Sequence, residues 1–276
     1  MGQESARPAA ASAVSQPFTP PDSGCAARVF CFCCTASGAY LVNDLLDIEA
    51  DRRSAKKRSR PFASGDLAPA AGLVAIVVLL AIGFTAARLL PAAFSFWLLL
   101  YLGTTSAYSI YLKRIALVDV VVLSALYTLR LIAGGAATNV VISDWLAGFA
   151  IFLFLSLAIV KRFAELQNLR VGGMQLKNGR GYLMTDIEQI RAFGTASAFA
   201  AVVVFANYIS GPDVVALYHH QRRLWLIVPW LVLWLCRVWL LASRGDLDED
   251  PVAFALTDTA SLAMGVAVVL IVLLAM

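Results

Sequence analysis

Apolar residues along this chain come in long blocks, not in alternating or one-sided patterns. Blocks near 25–46, 68–88, 91–111, 115–137, 142–160, 190–209, 224–242 and 257–276 are each long enough to cross a bilayer core, which takes about 17–25 helical residues. Eight membrane helices are predicted, and no stretch keeps the two-residue period of a half-buried strand. Pro91 opens one block, where its missing N–H costs nothing. Gly134-Gly135 and the alanines that follow predict either close helix packing or a local break. Residues 1–24, rich in Ala, Ser, Pro and Gln, predict a poorly ordered polar tail with no apolar core for a signal peptide. Residues 25–276 then form a single all-α membrane domain.

Composition agrees. Hydrophobic residues make up 60% of the 276, charged residues only 14%, and the mean hydropathy is +0.77. A soluble domain carries about 25% charged residues. The distribution of charge says more than the net +4. The loops at 47–67, 112–114, 161–189 and 243–256, with Arg191 at one edge, hold fifteen of the 22 lysines and arginines. The opposite loops hold four, and Arg28, Arg130 and Arg237 lie inside blocks. That bias places the charged loops in the cytoplasm. Two of them, 47–67 and 161–189, are separated by three spans, a faint sign of duplication. The cysteines, Cys25, Cys31, Cys33, Cys34 and Cys236, all sit in apolar blocks, and the two histidines are distant, so small buried helix residues are expected rather than a thiolate metal site.

The segment that carries most chemistry is Asn43–Arg60, NDLLDIEADRRSAKKRSR. On a helix Asn43, Asp47 and Asp51 stack at i, i+4 and i+8, with Asp44 beside Asp47 at i+3. Three carboxylates on one face repel unless a cation lies among them. Oxygen ligands favour Mg²⁺, which takes one or two carboxylates plus substrate phosphates. The run Arg52, Arg53, Lys56, Lys57, Arg58 and Arg60 suits a clamp on the same phosphates. The alternative is a solvated loop that only orients the protein in its membrane, although such loops need no acidic stripe.

Ionisable residues within spans are functional candidates because burying them in lipid is expensive. Asp119 and Arg130 share one block about three turns apart, on nearly the same face. Arg130 either completes an ion pair or binds a phosphate. In Tyr108–Arg114, YSIYLKR, Lys113 either compensates a helix dipole or reaches a phosphate. Lys161, Arg162 and Glu165 open the next long loop as KRFAEL, with Lys161 and Glu165 placed to bridge at i, i+4; this is a second charged site or a snorkelling cluster. The loop continues through Arg170, Lys177, Arg180, Tyr182 and Asp186, long enough to cap a site. Asp246, Asp248, Glu249 and Asp250 form a solvated turn or a second cation site. No Ser/His/Asp set, glycine-rich nucleotide loop or nucleic-acid stripe is present. The chemistry that remains is metal-assisted departure of a phosphate or diphosphate, with a lipid as one substrate.

NDLLDIEAD resembles the first aspartate-rich motif, N-D-x-x-D-x-x-x-D, of the UbiA superfamily of intramembrane prenyltransferases; KKRSRPFASG and YSIYLKR are similar to neighbouring family segments. The resemblance runs from about residue 25 to the end. It implies a helical bundle around a central cavity in a bacterial plasma membrane, with Mg²⁺ and a diphosphate at the cytoplasmic mouth and a polyprenyl chain along a lateral opening. By position it implies Asn43, Asp44, Asp47 and Asp51 as metal ligands, and Lys57, Arg58, Arg60 and Lys113 as phosphate contacts. Where aromatic prenyltransferases carry a second D-x-x-x-D, this chain reads Lys161-Arg162-Phe163-Ala164-Glu165. That segment, together with the blocks VDVVVLSALYTLRLIAGGAAT and DEDPVAFALTD, is similar to the branch that makes decaprenylphosphoryl phosphoribose. There the lipid phosphate attacks phosphoribosyl diphosphate. The likeness implies catalytic roles for Asp47, Asp51, Lys161 and Glu165, and phosphate contacts from Arg130, Arg162 and Lys161. The family has nine spans, and this branch opens with a helix bearing Arg-Pro and Trp-Lys-Asn. Neither stands here, so a lost first helix or a misassigned start is expected, with one cavity wall open.

Three functions follow: phosphoribosyl transfer to a polyprenyl phosphate, prenyl transfer to an aromatic or other acceptor, or a degenerate protein or transporter without catalysis. KRFAEL in place of the second acidic motif favours the first. A transporter would carry paired broken helices at mid-membrane, and only Gly134-Gly135 hints at one.

Overall fold

The computed structural model describes residues 23–53, 58–88, 90, 92–138, 140–171, 180–247 and 250–276. Residues 1–22 of the polar tail lie outside these. Among the described residues all regular structure is helical: α1 (Ser23–Leu46), α2 (Ile48–Arg53), α3 (Pro61–Ser64), α4 (Pro69–Ala87), α5 (Ala92–Ile110), α6 (Val118–Thr138), α7 (Asp144–Val171), α8 (Ile187–Ser210), α9 (Pro212–Leu217), α10 (Ile227–Arg244), α11 (Pro251–Thr257) and α12 (Thr259–Ala275). Prolines at the first positions of α3, α4, α9 and α11 start those helices where no N–H is needed. Gly65 and Gly245, at φ 91° and 79°, end α3 and α10 in the left-handed conformation that glycine tolerates.

The predicted blocks coincide with the eight long helices, with three differences. Among the described residues six helices are long and apolar enough to cross a membrane by length and composition, and a seventh is counted if α11 and α12 form one bent span. α5 is of matching length but carries Gly103, Thr104, Thr105, Ser106 and Ser109 in its last turns, and Thr105 and Ser109 face an internal cavity. Eight crossings therefore are not confirmed by composition. Second, α7 runs to Val171, well past the predicted end at 160, because its polar C-terminal turns find buried charged partners. KRFAEL is thus helix rather than the start of a loop. Third, the block at 257–276 starts with a break: α11 and α12 meet at 80° around Asp258, whose carboxylate caps α12 through Ser261 N–H and pairs with Arg237 at 2.6 and 3.0 Å. Gly134-Gly135 does not break α6. A Cβ on Gly135 would lie 2.7 Å from Val140 O and 2.6 Å from the Ile142 side chain, so close packing is the reason for it.

Neighbours pack in sequence: α4 on α1, α1 on α5, α5 on α6, α6 on α7 and α7 on α8, with α10 against α7 and α8 and α12 against α10. One apolar cluster joins α7, α8 and α10 through Leu157, Ile159, Ile190, Leu235, Val238 and Trp239. Another joins α1, α4 and α5 through Cys31, Ala87, Phe94 and Leu98. Between them α1, α5, α6, α7 and α11 leave a cavity of about 320 Å³. Outward-facing Val74, Val77, Leu99, Val203 and Val266 are exposed, as lipid-facing positions would be. Cys31 and Cys34 are buried, while Cys33 and Cys236 lie on exposed faces, so the expectation of burial holds for only two of these four.

The α7–α8–α10 contact depends on Gly194. A Cβ there would lie 2.2 Å from the Trp239 ring and 2.8 Å from Ile159. Trp239 cannot retreat freely, since its Nε1–H donates to Ser156 Oγ (3.1 Å) and Ser156 donates to Gly194 O (2.9 Å). Gly194→Val is expected to destabilise by about 1–3 kcal/mol through overpacking. Thermal unfolding in detergent should show a lowered midpoint, with Gly265→Val, in open space, as the neutral comparison.

Candidate active site

The helical period of the acidic segment survives in the fold. A turn at Asp47 separates α1 from α2, yet Asp47 N–H bonds Asn43 O (3.0 Å) and Asp51 N–H bonds Asp47 O (2.8 Å). Asn43, Asp44, Asp47 and Asp51 therefore share one face, and all four line the cavity. Two cations neutralise them. Arg60 Nη1 lies 3.0 Å from both Asp44 Oδ1 and Asp51 Oδ2. Lys113 Nζ, from the turn after α5, lies 2.6 Å from Asp47 Oδ1 and 3.3 Å from Asn43 Oδ1. Lys113 is thus more than a cap on a helix dipole, because it reaches across to another helix.

The opposite wall is basic. Lys161, Arg162 and Arg180 line it together with Tyr108. Lys161 Nζ pairs with Asp250 Oδ2 at 3.3 Å, and Asp250 also caps α11 through the N–H groups of Val252 and Ala253. Burial raises the Asp250 carboxyl, but Lys161 and those two N–H groups outweigh it and hold it below its usual range. Arg162, 1% exposed, forms an ionic contact to Asp119 Oδ2 (2.7 Å, off the hydrogen-bonding angle) and two bonds of 2.6 Å to Glu165. Tyr182 donates its hydroxyl to the other Asp119 oxygen and accepts Leu117 N–H at 2.9 Å. Burial and that carboxylate push the Tyr182 phenol well above its ordinary value.

Arg130 lies twelve residues into α6, about 18 Å from the helix start at 1.5 Å per residue. Its Nη2 donates to Tyr40 (2.7 Å) and Tyr101 (2.9 Å), and its guanidinium lies 5.0–5.5 Å from the rings of Tyr40, Tyr101 and Tyr127. A cation within about 6 Å of ring faces is stabilised without a carboxylate. Its buried Nε has no hydrogen-bond partner among the described residues.

One predicted pairing fails, and of the two alternatives for Arg130 the ion pair is not seen among the described residues. Arg130 is held by tyrosine hydroxyls, while Asp119, three turns away on the same helix, pairs with Arg162. Lys161 and Glu165 do not bridge: Asp250 takes the lysine, while Arg162 and, at 3.8 Å, Arg180 take the glutamate. Asp250 is thereby engaged by a lysine and a helix start, and Asp248 and Glu249 lie outside the described residues. So does Lys57. Arg58 is exposed and does not line the cavity. Tyr40 and Tyr127, which the sequence does not mark, line the cavity, as do Arg180, expected in a capping loop, and Asp250, expected in a solvated turn or a second cation site. An aspartate directly before Pro251 is a helix-start signal and could have located Asp250.

A sequence model of the UbiA prenyltransferase family matches residues 7–264. The chain belongs to the UbiA prenyltransferase family. Its fold is all-helical among the described residues, with helices long and apolar enough to cross a membrane. It is 40% identical to the uncharacterized protein y4nM of Sinorhizobium fredii over 83% of this chain, and 34% identical to the nodulation protein NoeC of Azorhizobium caulinodans over 84%. With the decaprenyl-phosphate phosphoribosyltransferase of Mycobacterium tuberculosis it shares 35% identity over 63% of its length. The chain spans 75% of NoeC, but only 45% of y4nM and 57% of the phosphoribosyltransferase. Its fold matches a UbiA homolog from Archaeoglobus fulgidus solved with GPP and Mg²⁺, at a TM-score of 0.66 and 15% identity, over 90% of this chain and 85% of that one.

The residues of this UbiA chain fit Mg²⁺ in donor chemistry. The acidic wall offers only oxygen ligands, which suit a hard cation. Among the described residues no group of three or more carboxylates, thiols and imidazoles converges on one point. Two carboxylates, Asp44 and Asp51, instead stand around Arg60 and one, Asp47, stands with the Asn43 amide oxygen at Lys113, and one or two carboxylates plus phosphate oxygens are what Mg²⁺ usually takes.

The buried Arg162 hub generates a stability prediction. Arg162→Met would leave Asp119 without its cation and Glu165 without its nearest one, at a cost of about 3–5 kcal/mol. Thermal unfolding of the purified variant should show a much lower midpoint than that of Arg191→Met, whose exposed pair with Glu188 contributes at most about 1 kcal/mol.

Proposed function

We propose that this chain transfers phosphoribose from phosphoribosyl diphosphate to a polyprenyl phosphate, with Mg²⁺ held at Asn43, Asp44, Asp47 and Asp51. The observation that carries this reading is the pairing of an acidic wall with a basic one inside a single cavity. Prenyl transfer to a neutral aromatic acceptor brings one anionic substrate. Phosphoribosyl transfer to a lipid phosphate brings two, and Lys161 and Arg180 face the acidic cluster where a second anion needs cations. The phosphoribosyltransferase relatives support the same reading, as does the metal bound by the structural neighbour.

Asp47 and Asp51 act through the metal site, and Arg60 and Lys113 turn from their carboxylates toward the donor's diphosphate. Mg²⁺ supplies charge neutralisation on the departing diphosphate. An oxygen of the lipid phosphate attacks the anomeric carbon as the bond from that carbon to the diphosphate oxygen breaks. Lys161 orients the attacking phosphate, while Arg130 with its tyrosines holds an anionic group deeper in the cavity. Arg162 and Glu165 act by fixing the basic wall. The polyprenyl chain lies against the apolar lining contributed by Leu126, Phe154 and Leu157. The bias of lysine and arginine supports a site that opens to the cytoplasm, in a bacterial plasma membrane.

The test supplies the protein in lipid with Mg²⁺ and two substrate pairs: labelled phosphoribosyl diphosphate with polyprenyl phosphate, and labelled prenyl diphosphate with 4-hydroxybenzoate. Label is expected in the polyprenyl phosphate product and not in the benzoate. The reverse pattern would assign the chain to aromatic prenylation, and no product from either pair would favour a non-catalytic protein. Asp47→Asn is expected to lower transfer by at least about 100-fold, in line with the loss of one preorganised electrostatic group, while the helical signal is unchanged.

A further inference from the structure

We infer that Arg237 is a positioning residue for the lipid phosphate: through Asp258 it fixes the angle of α11, and α11 in turn sets Lys161 in the cavity. This rests on the transfer reaction proposed above, in which Lys161 orients that phosphate. Arg237 lies within α10 and Asp258 within the bent α11–α12 span, both in apolar stretches where an ionisable side chain is kept at a cost. Their contact is a two-pronged fork, Nη1 to Oδ2 at 2.6 Å and Nη2 to Oδ1 at 3.0 Å, a geometry that fixes direction as well as attraction. The same carboxylate accepts Ser261 N–H at 2.7 Å and so starts α12. Trp234, one turn before Arg237, donates its Nε1–H to Ser261 Oγ at 3.2 Å, and the Arg237 guanidinium lies 5.5 Å from the Phe254 ring of α11. α10 therefore holds both sides of the corner at which the chain turns by 80°.

The corner decides where the start of α11 lies. From Asp258 back to Asp250 the helix is a lever about 12 Å long, at 1.5 Å per residue. A tilt of about 10° at the corner would carry Asp250 by about 2 Å, more than a hydrogen bond tolerates. Asp250 divides its carboxylate: Oδ1 accepts the N–H groups of Val252 and Ala253 at 3.0 and 3.3 Å, and Oδ2 accepts Lys161 at 3.3 Å. Because Oδ1 is bound to the helix start, Oδ2 goes where α11 goes, and the ammonium of Lys161 follows. An ammonium carries three donors and Asp250 takes one, so the lysine can keep this bond and still meet a phosphate oxygen. Lys161, Asp250, Pro251 and Val252 all line the cavity, whereas Arg237 and Asp258 do not. The fork therefore reaches the substrate only through α11.

The test measures dissociation constants of the full chain in lipid nanodiscs, with Mg²⁺, for farnesyl phosphate and for inorganic diphosphate. Arg237→Met is expected to weaken farnesyl phosphate by about tenfold, the size of one hydrogen bond to a charged group. Inorganic diphosphate should be unchanged, because its cations, Arg60 and Lys113, stand on the other wall. Lys161→Met should lose the same affinity for farnesyl phosphate, and adding Arg237→Met to it should lose nothing further, because both act through one ammonium. Arg237→Lys should recover part of the affinity. Asp258→Asn, which breaks the fork yet keeps a residue that caps α12, gives the same readings where Arg237→Met does not fold. Unchanged farnesyl phosphate affinity in Arg237→Met or in Lys161→Met would overturn the inference while leaving the transfer reaction standing. A parallel loss for inorganic diphosphate, or a further loss in the double variant, would mark a general structural role and would also overturn it. A wild-type chain that does not bind farnesyl phosphate would remove both the inference and the reaction beneath it.

Discussion

Charge placed inside a membrane bundle must be met by opposite charge or by hydrogen bonds, and this requirement organises the structure. Taking a carboxylate or guanidinium out of water costs several kcal/mol per ion, and removal of one partner leaves the other uncompensated. Asp44 and Asp51 therefore share Arg60, Asp47 takes Lys113, Asp250 takes Lys161, and Asp119 and Glu165 take Arg162. Each of these pairs except Arg162–Glu165 joins separate elements. The pairs do for this end of the bundle what apolar contacts do elsewhere, and they leave a cavity between two walls of opposite sign. Arg130 shows the other solution, with tyrosine hydroxyls and ring faces in place of a carboxylate.

The arrangement also suits anionic substrates. Cations that hold carboxylates at rest are already oriented at the cavity surface. In the reaction proposed above, an entering diphosphate with its metal takes over both roles, since the metal satisfies the carboxylates while Arg60 and Lys113 gain phosphate oxygens. Little new order has to be created when the substrate arrives, which is the advantage of a preorganised electrostatic site.

Much of the fold was legible because apolar blocks of membrane length announce helices directly. The acidic stripe was legible for the same local reason: Asn43, Asp47 and Asp51 follow the helical period, and the period continues through the turn at Asp47. What spacing did not reveal were partners distant in sequence. The i, i+4 spacing allows Lys161 to bridge Glu165, yet Asp250, 89 residues away, takes the lysine. Glu165 goes to Arg162 one turn back, whose two short bonds leave it little need of the lysine. The break at Asp258 lies inside a continuous apolar run, although an aspartate there, like Asp250 before Pro251, is a residue that caps helix starts. The polar half of α5 lowered its hydropathy for a functional reason, since Thr105 and Ser109 face the cavity and not the lipid.

The two walls differ in what they offer a metal. In the reaction proposed above, the wall formed by Asn43, Asp44, Asp47 and Asp51 exchanges its cations for the metal, because the described acids of the other wall, Asp119, Glu165 and Asp250, fix its own basic residues. This division is the central claim, and metal stoichiometry tests it most directly. Titration of Mn²⁺ into the protein in the presence of excess inorganic diphosphate, followed by electron paramagnetic resonance, is predicted to give one protein-dependent ion per chain. Asp47→Asn should remove it, and Glu165→Gln should keep it. Two ions per chain, or one that survives Asp47→Asn and disappears with Glu165→Gln, would contradict the account.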